Sequence, residues 1–452
     1  MKLYKNIIIV SVILVFLAGG LVLVKNLPEK EGVNTKTENS QAVEYIDVFR
    51  AESSDILNIQ VTTKTGSYTV SNDKNGVSLS DSSNIKINKQ TLQSFVNTCS
   101  YIYAEKIATE KADDISLYGF SEPTATIMIN LNDGTEKVVH IGNKTVDGSG
   151  CYLMISGDEK VYIKSAYGIS NLAPEYTAFI DKNVMTINPT KYESLSNISI
   201  KKSGNKDIEL KSVTETNGNT KNTYWKMVKP IHADANGVIL SNDILTPLES
   251  FKASGIVEAK PKDLSKYDLI NPYATLTISA VGATQTLKFG KEAEGYRFFM
   301  VDNYATVYMA PADSLSFIDV AYIDLMSRLV HTENIKYIST VDIKTPDKNF
   351  NLKILNNEYF INDKKIEKDA FTKIYRDVIS ISFDSVDLNA KPSASSEISI
   401  KYTRNDGSTC MVSYVSINER NYLALVDGKG NGIVTKKSVR EVVESINKSL
   451  TK

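Results

Sequence analysis

An internal repeat constrains the fold of this chain more than any other feature of its sequence. Residues 115–129 return as residues 264–278, with tyrosine, proline, alanine and threonine in the same order. The offset is constant, because 267 − 118 and 272 − 123 both equal 149. A fainter third copy surrounds Asp387 and Gly407. Repetition at so long a period indicates duplicated folding units, and most of the recurring residues are then needed to build the unit itself.

The length supports the same interpretation. A chain of 452 residues is too long for one ordinary core, and about three domains are expected at roughly 100 to 200 residues each. We therefore divide the chain into a cytoplasmic tail with a transmembrane anchor (1–26), a flexible stalk (27–42), a first unit (43–187), a second unit (188–330) and a divergent third unit (331–452).

The amino-terminal segment predicts a membrane anchor. Residues 7–24 form an uninterrupted run that is uncharged and mostly apolar. As a helix this run would span roughly 27 Å, close to the ~30 Å of a bilayer core. Lys2 and Lys5 precede it and favour a cytoplasmic amino terminus with an extracytoplasmic remainder. Two alternatives stay open: signal cleavage near Ala18-Gly19-Gly20, which would release a secreted protein, and a buried helix.

Each unit is predicted to have an α+β fold, in which a small antiparallel sheet packs with one principal helix. In the first unit Ala125, Ile127, Ile129 and Leu131 share one face and Thr124, Thr126 and Asn130 share the other, which predicts a half-buried strand. Asp133-Gly134 then predicts a tight hairpin turn. Apolar residues at helical spacing predict the principal helices, over about 89–104, 237–252 and 367–380. A shorter helix is predicted over 165–172.

The third unit departs from the repeat. Lys391 stands where the tyrosine is expected, and Ser396 stands where the proline is expected. Val415 replaces a glycine that the other two units share. We therefore expect the loop before the hairpin of this unit to close differently.

The recurring positions are the candidate site residues, and we interpret them as structural, because a turn, a strand start and a small inward side chain are requirements of the fold. The alternative is that Tyr118 and Tyr267 line equivalent binding grooves, since aromatic residues often carry recognition. The recurring positions are Tyr118, Pro123, Ala125, Thr126, Gly134, Gly142, Tyr267, Pro272, Ala274, Thr275, Gly282, Gly290 and Gly407.

Composition and motifs argue against several classes of function. Basic and acidic residues balance at 52 and 53, so the charge expected of a nucleic-acid-binding protein is missing. The three histidines form no HExxH pair, and no GxSxG or GxxxxGK[ST] sequence occurs. The three cysteines form no CxxC pair and are expected to be buried and unpaired. We expect no catalytic residues, no cofactor and no metal.

The repeated motif resembles a bacterial family classed as domain of unknown function 4340. The first unit matches at Asp114, Tyr118, Gly119, Phe120, Pro123, Ala125, Thr126, Ile141, Gly142 and Lys144. The second unit matches at Asp263, Tyr267, Leu269, Pro272, Ala274, Thr275 and Gly290, with Asp268 in place of the glycine. The resemblance implies a single-pass envelope protein that accompanies an ABC transport system, and it provides no catalytic residues that could be carried over to this chain.

These features together predict a non-enzymatic, membrane-anchored extracytoplasmic scaffold or accessory subunit of an ABC-type envelope transport complex. The expected partners are the membrane, through residues 7–24, and protein subunits of the transporter, with no nucleic acid. The alternative is a module that binds envelope glycan or cell wall, suggested by 24 tyrosines on strand-rich units. A hydrolase is the third alternative.

Overall fold

The computed structural model describes residues 45–191, 194–217, 220–392 and 395–450. The chain divides into two compact units. Of the described residues, one unit comprises those up to Gly76 together with Ser94–Ala173, and the other comprises Val77–Gln93 and those from Pro174 onward.

The regular elements fall into three successive groups. The first group contains β1 (Ile46–Arg50), β2 (Ile56–Thr63), β3 (Gly66–Asp73), β4 (Gly76–Leu79), α1 (Lys89–Ser100), β5 (Tyr101–Ala104), β6 (Lys106–Thr109), β7 (Ala125–Leu131), β8 (Glu136–Lys144), β9 (Gly150–Ile155), β10 (Val161–Ser165) and α2 (Ala166–Leu172). The second contains β11 (Leu195–Lys202), β12 (Ile208–Asn217), β13 (Thr220–Lys229), β14 (Ala233–Asp234), the irregular helix α3 (237–249), β15 (Gly255–Glu258), β16 (Ala274–Ala280), β17 (Ala283–Ala293), β18 (Tyr296–Val301), β19 (Val307–Pro311) and α4 (Tyr322–Leu325). The third contains β20 (Ile338–Lys344), β21 (Asn349–Leu355), β22 (Glu358–Ile361), β23 (Lys364–Ile366), α5 (Lys368–Ile379), β24 (Ser385–Val386), β25 (Ile398–Arg404), β26 (Thr409–Ser416), β27 (Asn421–Val426), β28 (Lys429–Thr435) and α6 (Lys436–Leu450).

Three large sheets have one strand order in common. The first sheet runs β4-β3-β2-β7-β8-β9-β10-β6. The second runs β14-β13-β12-β11-β16-β17-β18-β19-β15, and the third runs β23-β22-β21-β20-β25-β26-β27-β28-β24. The second and third therefore reproduce the first and add one edge strand each, β14 and β23. A separate two-stranded sheet pairs β1 with β5.

The pleat of each sheet explains which residues form the core. In β7 the residues Ala125, Ile127 and Ile129 are buried, and the residues between them remain partly exposed. The same alternation holds for β16 and β25. The partly or fully exposed positions carry polar side chains and one methionine: Thr126, Met128 and Asn130 in β7; Thr275, Thr277 and Ser279 in β16; and Ser399, Lys401 and Thr403 in β25. In these three central strands one face is therefore core, and the other face is partly exposed and mostly polar.

A single apolar core runs through the second and third sheets. Buried side chains from Ile198 in β11 to Ile446 in α6 belong to one continuous cluster. Four aromatic rings, Phe251, Phe289, Phe299 and Phe317, pack together at centroid distances of 5.2–6.3 Å in its second-sheet part. The second and third sheets thus share their hydrophobic stabilisation.

The segment Val77–Gln93 belongs to the same unit as these two sheets, although it lies far earlier in the chain. Ile85 joins their core. The carbonyl of Asn84 accepts a hydrogen bond of 2.7 Å from the amide of Ala305, and the amide of Asn88 donates to the carbonyl of Phe179 at 2.8 Å. This unit is therefore discontinuous in sequence.

The predicted fold class, in which each unit has a small sheet and one principal helix, is wrong. Each large sheet has eight or nine strands instead of a small number, and strands predominate over helices. The third sheet is accompanied by two long helices, α5 and α6, rather than one. The predicted helix over 89–104 ends at Ser100, and the rest of it is strand β5.

The predicted transmembrane anchor is a second correction. Among the described residues, no helix is both long and apolar enough to cross a bilayer, so the structure does not support a single-pass anchor. The segments predicted as tail and anchor (1–26) and as stalk (27–42) lie outside the described residues. The division into units 43–187, 188–330 and 331–452 stays a prediction.

Candidate functional site

The repeated tyrosines belong to a short 3-10 turn that occurs twice. Asp114 precedes the first turn and its side chain accepts a hydrogen bond from the amide of Ser116 at 2.9 Å, and Asp263 does the same for Ser265. Gly119 and Asp268 end the two turns in the left-handed conformation, with φ of 84° and 54°. The aspartates therefore cap the turns, as Asp and Asn side chains commonly do.

The two recurring glycines lie against these turns. An alanine Cβ at Gly142 would come within 2.1 Å of the carbonyl oxygen of Tyr118. At Gly290 it would come within 1.9 Å of the carbonyl oxygen of Tyr267. Only a residue without a side chain lets the backbones approach this closely.

The tyrosine rings are packed against neighbouring strands. The ring of Tyr118 contacts that of Tyr152 edge-on at 5.0 Å, and Tyr267 contacts Phe298 in the same way at 5.2 Å. Tyr267 also donates to Glu258 at 2.7 Å, and this hydrogen bond raises the pKa of the tyrosine. Both rings are half-buried. This placement fits the structural interpretation, and the binding-groove alternative stays a prediction.

The remaining recurring residues lie along the strand and hairpin that follow each turn. Pro123 and Pro272 precede β7 and β16, Ala125 and Ala274 are buried at the strand starts, and Thr126 and Thr275 lie on the polar face. Gly134, Gly282 and Gly407 form the hairpin turns with φ of 86°, 77° and 82°. A seven-residue strand of roughly 20 Å separates the tyrosines from the turn glycines, so the thirteen residues do not converge on one site.

The third sheet replaces the glycine contact with apolar packing. Val415 is 3% exposed and clusters with Leu423, Leu425 and Ile433. Ala390, from the loop that precedes β25, packs against this cluster. In the described part of this loop, an apolar side chain therefore packs at the position where the other two sheets have a glycine.

A buried polar network lies where the second sheet leads into the third. His331 Nε2 is 3.0 Å from Glu333 Oε1, and Arg404 Nε donates to Glu333 Oε2 at 3.2 Å. Arg404 Nη2 also bonds to Glu333 Oε1. The hydroxyl of Tyr375 in α5 donates to the carbonyl of Glu333 at 2.9 Å. His331 and Glu333 are 6% and 8% exposed.

The carboxylate of Glu333 is paired with a cation in this network. Burial alone would raise the pKa of Glu333, but hydrogen bonds from His331 and Arg404 outweigh it and hold the pKa below its ordinary value. The carboxylate is therefore ionised and paired with a guanidinium, as a buried charge must be. Sequence inspection misses this network, because His331 and Arg404 lie far apart along the chain and no motif connects them.

At the corresponding position, the second sheet has a different set of buried hydrogen bonds. Gln285, three residues after Gly282, is buried, and its Nε2 donates to the carbonyl of Val184 at 2.7 Å. Its Oε1 accepts from the amide of Thr186 at 2.9 Å. Cys410, three residues after Gly407, occupies the corresponding position of the third sheet. In both sheets this position faces the chain segment that leads into the sheet.

His331, Glu333 and Cys410 place possible metal-ligand atoms within 4.8 Å of one another, and all three are buried. Two observations argue against a cation there. Arg404 already contacts both oxygens of Glu333. Burial raises the pKa of the Cys410 thiol to about 12, so the thiolate that a metal requires is disfavoured.

Beside this network lies a pocket of about 400 Å³. Tyr224, Asp234, His331, Asn334 and Tyr337 are among the residues that line it. Asp234 also lines a second pocket of about 280 Å³, together with Lys226, His232 and Lys429. The network therefore adjoins concave surface that carries both aromatic and polar side chains.

The structure defines a class of protein built from successive antiparallel sheets that share one strand order, with buried hydrogen bonds where the chain enters the second and third sheets. The family model described as a domain of unknown function (DUF4340) matches residues 78–224 and again residues 225–396. The two matches cover more than half of the chain, which therefore belongs to this family. No curated protein and no solved structure matches it.

Proposed function

We propose that this chain is a non-enzymatic scaffold or accessory subunit of an ABC-type transport complex, with protein subunits as its partners. The observation that carries the proposal is the threefold recurrence of one strand order, with a partly exposed, mostly polar side on the central strands β7, β16 and β25. A protein that repeats a sheet offers several docking faces with one backbone geometry, and this arrangement suits a scaffold. The transport assignment rests on the resemblance of the repeated motif to companions of such systems.

The distribution of side chains on these faces supports docking to protein. Equivalent partly or fully exposed positions of β7, β16 and β25 carry Met128, Thr277 and Lys401, so the three strands have one backbone geometry but different side-chain chemistry. Three different partners, or three parts of one partner, suit such faces better than three copies of one small ligand. Side chains at protein interfaces provide this kind of specificity, and backbone shape alone does not.

Site-specific crosslinking in cells tests the proposal. A photoreactive amino acid is placed in turn at Met128, Thr277 and Lys401, and the captured proteins are identified by mass spectrometry. Lys437 on α6, whose side chain is 83% exposed, provides the control position. We expect transporter subunits to be captured from at least one sheet face and not from Lys437. Capture of no protein, or the same proteins from all four positions, would contradict the proposal.

Binding of envelope glycan is the second candidate. The number of tyrosines supports it only weakly, because Tyr68, Tyr162, Tyr308, Tyr375, Tyr402, Tyr414 and Tyr422 are buried in cores. The pocket beside His331 is the specific observation that favours it, because that pocket combines tyrosine rings with hydrogen-bonding groups.

A further inference from the structure

Four tyrosines of the first group of elements lie together in one compact unit. Tyr101 and Tyr103 lie two residues apart on β5 and therefore point to the same side of the strand. The ring of Tyr103 contacts Tyr45 edge-on at a centroid distance of 4.5 Å and Tyr101 at 5.8 Å. The pKa of Tyr103 is raised by burial first and then by its neighbours Tyr45, Glu105, Tyr101 and Tyr167, so Tyr167 in α2 lies near the same ring. We call Tyr45, Tyr101, Tyr103 and Tyr167 the tyrosine cluster.

The tyrosine cluster is accessible from solvent. Tyr167 is 79% exposed, Tyr45 is 50% exposed and Tyr101 is 36% exposed. A single exposed aromatic residue is ordinary, but large apolar groups that gather at one place on a surface commonly mark a binding site. A ligand can therefore reach three of the four rings.

The repeated fold does not require these tyrosines. Tyr101 and Tyr103 belong to the two-stranded sheet of β1 and β5, and in the described part of the chain the second and third groups of elements have no such sheet. Tyr167 is the second residue after β10, and the second residues after β19 and β28 are Asp313 and Lys437. Both charged residues are exposed, so the fold accepts them at this position as well as a tyrosine. The cluster is therefore specific to the first group and is not explained by the repeat.

Neighbouring side chains hold the rings in place. The hydroxyl of Tyr101 donates to Asp47 at 2.6 Å, and the guanidinium of Arg50 lies 4.3 Å from the centre of the Tyr101 ring. Lys164 is 3% exposed, and its Nζ lies 3.5 Å from the centre of the Tyr103 ring and donates to the carbonyl of Tyr103 at 2.8 Å. A ligand thus meets rings whose positions are already fixed, which lowers the entropy cost of binding.

The charges beside the cluster disfavour a polyanion. Arg50 forms an ion pair with Asp47 at 3.3 Å, and Glu105 is close enough to Lys164 for their charges to interact. These two cations and two anions together have no net charge. Nucleic acid and an anionic lipid surface, which both require an excess of basic residues, are therefore not favoured.

The chemistry of the surface favours sugar rings over a protein partner. A tyrosine combines an aromatic face with a polar tip, so it suits a ligand that is apolar on its faces and polar at its edges, as a sugar ring is. The ion pair beside Tyr101 is exposed, at 65% for Arg50 and 56% for Asp47, and a dry protein interface would have to desolvate it at a cost. Sugar hydroxyls can instead hydrogen-bond to the same two groups.

From these observations we propose that the tyrosine cluster binds a glycan chain, with sugar rings against the exposed tyrosines and hydroxyls bonded to Asp47 and Arg50. A chain fits better than a single sugar, because small ligands are usually enclosed and these rings are open to solvent. The proposal rests on the glycan-binding candidate and gives it a site in a different compact unit from the pocket beside His331. It does not depend on the scaffold function.

Co-sedimentation with insoluble glycans tests the proposal. The full chain is mixed with purified peptidoglycan, chitin or cellulose, and the bound fraction is measured as a function of glycan concentration. We expect at least one glycan to give saturable binding, weakened by roughly tenfold or more in Tyr167→Ala, because truncating an aromatic contact residue commonly has an effect of this size. Tyr45→Ala should also weaken binding. Circular dichroism confirms that each variant is folded.

Tyr296→Ala is the matched control, because Tyr296 is a tyrosine of 40% exposure that lies in β18 of the second sheet. Its binding should equal that of the natural sequence. The proposal is overturned if no glycan binds saturably, if the folded Tyr167→Ala variant binds as tightly as the natural sequence, or if Tyr296→Ala loses as much affinity as Tyr167→Ala.

Two further outcomes distinguish this site from the other proposals. Binding that is lost in Tyr337→Ala, a residue of the pocket beside His331, but kept in both cluster variants would remove this site and leave the glycan-binding candidate standing. If no glycan binds and Tyr167→Ala instead loses the crosslinked transporter subunits, the cluster is a protein interface and the glycan proposals fail together.

Discussion

Replacing Gly290 by alanine tests the explanation given for the repeated tyrosine–glycine pair. The new Cβ would lie 1.9 Å from the carbonyl oxygen of Tyr267. Ordinary contacts lie at about 3.5 Å, so the turn and the strand would have to separate by more than about 1 Å. The turn is held by a hydrogen bond from the Asp268 amide to the Ser265 carbonyl, by the hydrogen bond from the Tyr267 hydroxyl to Glu258 and by the ring contact with Phe298. A backbone oxygen, unlike a side chain, has no other rotamer to adopt.

The expected cost follows from this geometry. Overpacking costs about 1–3 kcal/mol and occasionally more, and a clash between backbone atoms belongs at the upper end, so we expect about 3 kcal/mol. With a urea m-value near 3 kcal/mol/M, the unfolding midpoint falls by about 1 M. The fluorescence of Trp225 is a suitable probe, since this buried residue lies in β13 of the same sheet as Gly290.

Gly282→Ala is the matched control in the same sheet. Gly282 has φ of 77°, and nothing lies within 4 Å of a Cβ placed there. Its substitution should cost only the left-handed backbone penalty of about 1–2 kcal/mol. The reasoning is refuted if Gly290→Ala unfolds at the same urea concentration as Gly282→Ala or at a higher one.

Three further predictions concern the buried polar contacts made by Glu333 and by Gln285. Arg404→Leu should destabilise the protein by about 3–5 kcal/mol in urea unfolding, because it leaves the carboxylate of Glu333 buried without its cation; a loss below about 1 kcal/mol would show that the pair is not needed. Gln285→Ala should cost about 1–3 kcal/mol for each backbone group left without a partner, and the amide of Thr186 should then exchange hydrogen faster. Because the pKa of Glu333 is lowered on folding, its contribution to stability is present above the ordinary value of 4.5 and is lost as the pH falls through the lower folded value. Urea midpoints measured across this range should therefore fall more steeply for the natural sequence than for Glu333→Gln, and equal slopes would contradict the prediction.

Local sequence was enough to place the strands with clear alternation and tight turns. The alternation of Ala125, Ile127 and Ile129 predicts β7, and Asp133-Gly134 predicts the turn to β8, because both signals depend only on neighbouring residues. The edge strands carry no such signal. Strand β24 has only two residues and is a strand because it pairs with β28. Polar and apolar residues alternate only weakly in β6, which is a strand because it pairs with β10.

The buried network could not be found from sequence for a related reason. Arg404 reaches Glu333 only because β20 and β25 pair with Ile338 opposite Arg404. This register is set by the whole sheet and cannot be deduced from the residues around Arg404 or Glu333 alone. The recurring residues were easier to identify than to interpret: only the close approach of Gly290 to Tyr267 shows why both recur.

The compact unit that joins Val77–Gln93 to the chain after Pro174 is discontinuous, and this has a consequence for synthesis on the ribosome. Asn84 leaves the ribosome long before Ala305, whose amide donates to its carbonyl. At a synthesis rate of roughly 5–20 residues per second, about 10–45 s pass between the synthesis of Asn84 and that of Ala305. During that time Ile85 has no completed core to enter. Nascent chains stalled before residue 305 should therefore leave this segment open to chaperones and proteases, and chains released after full translation should protect it.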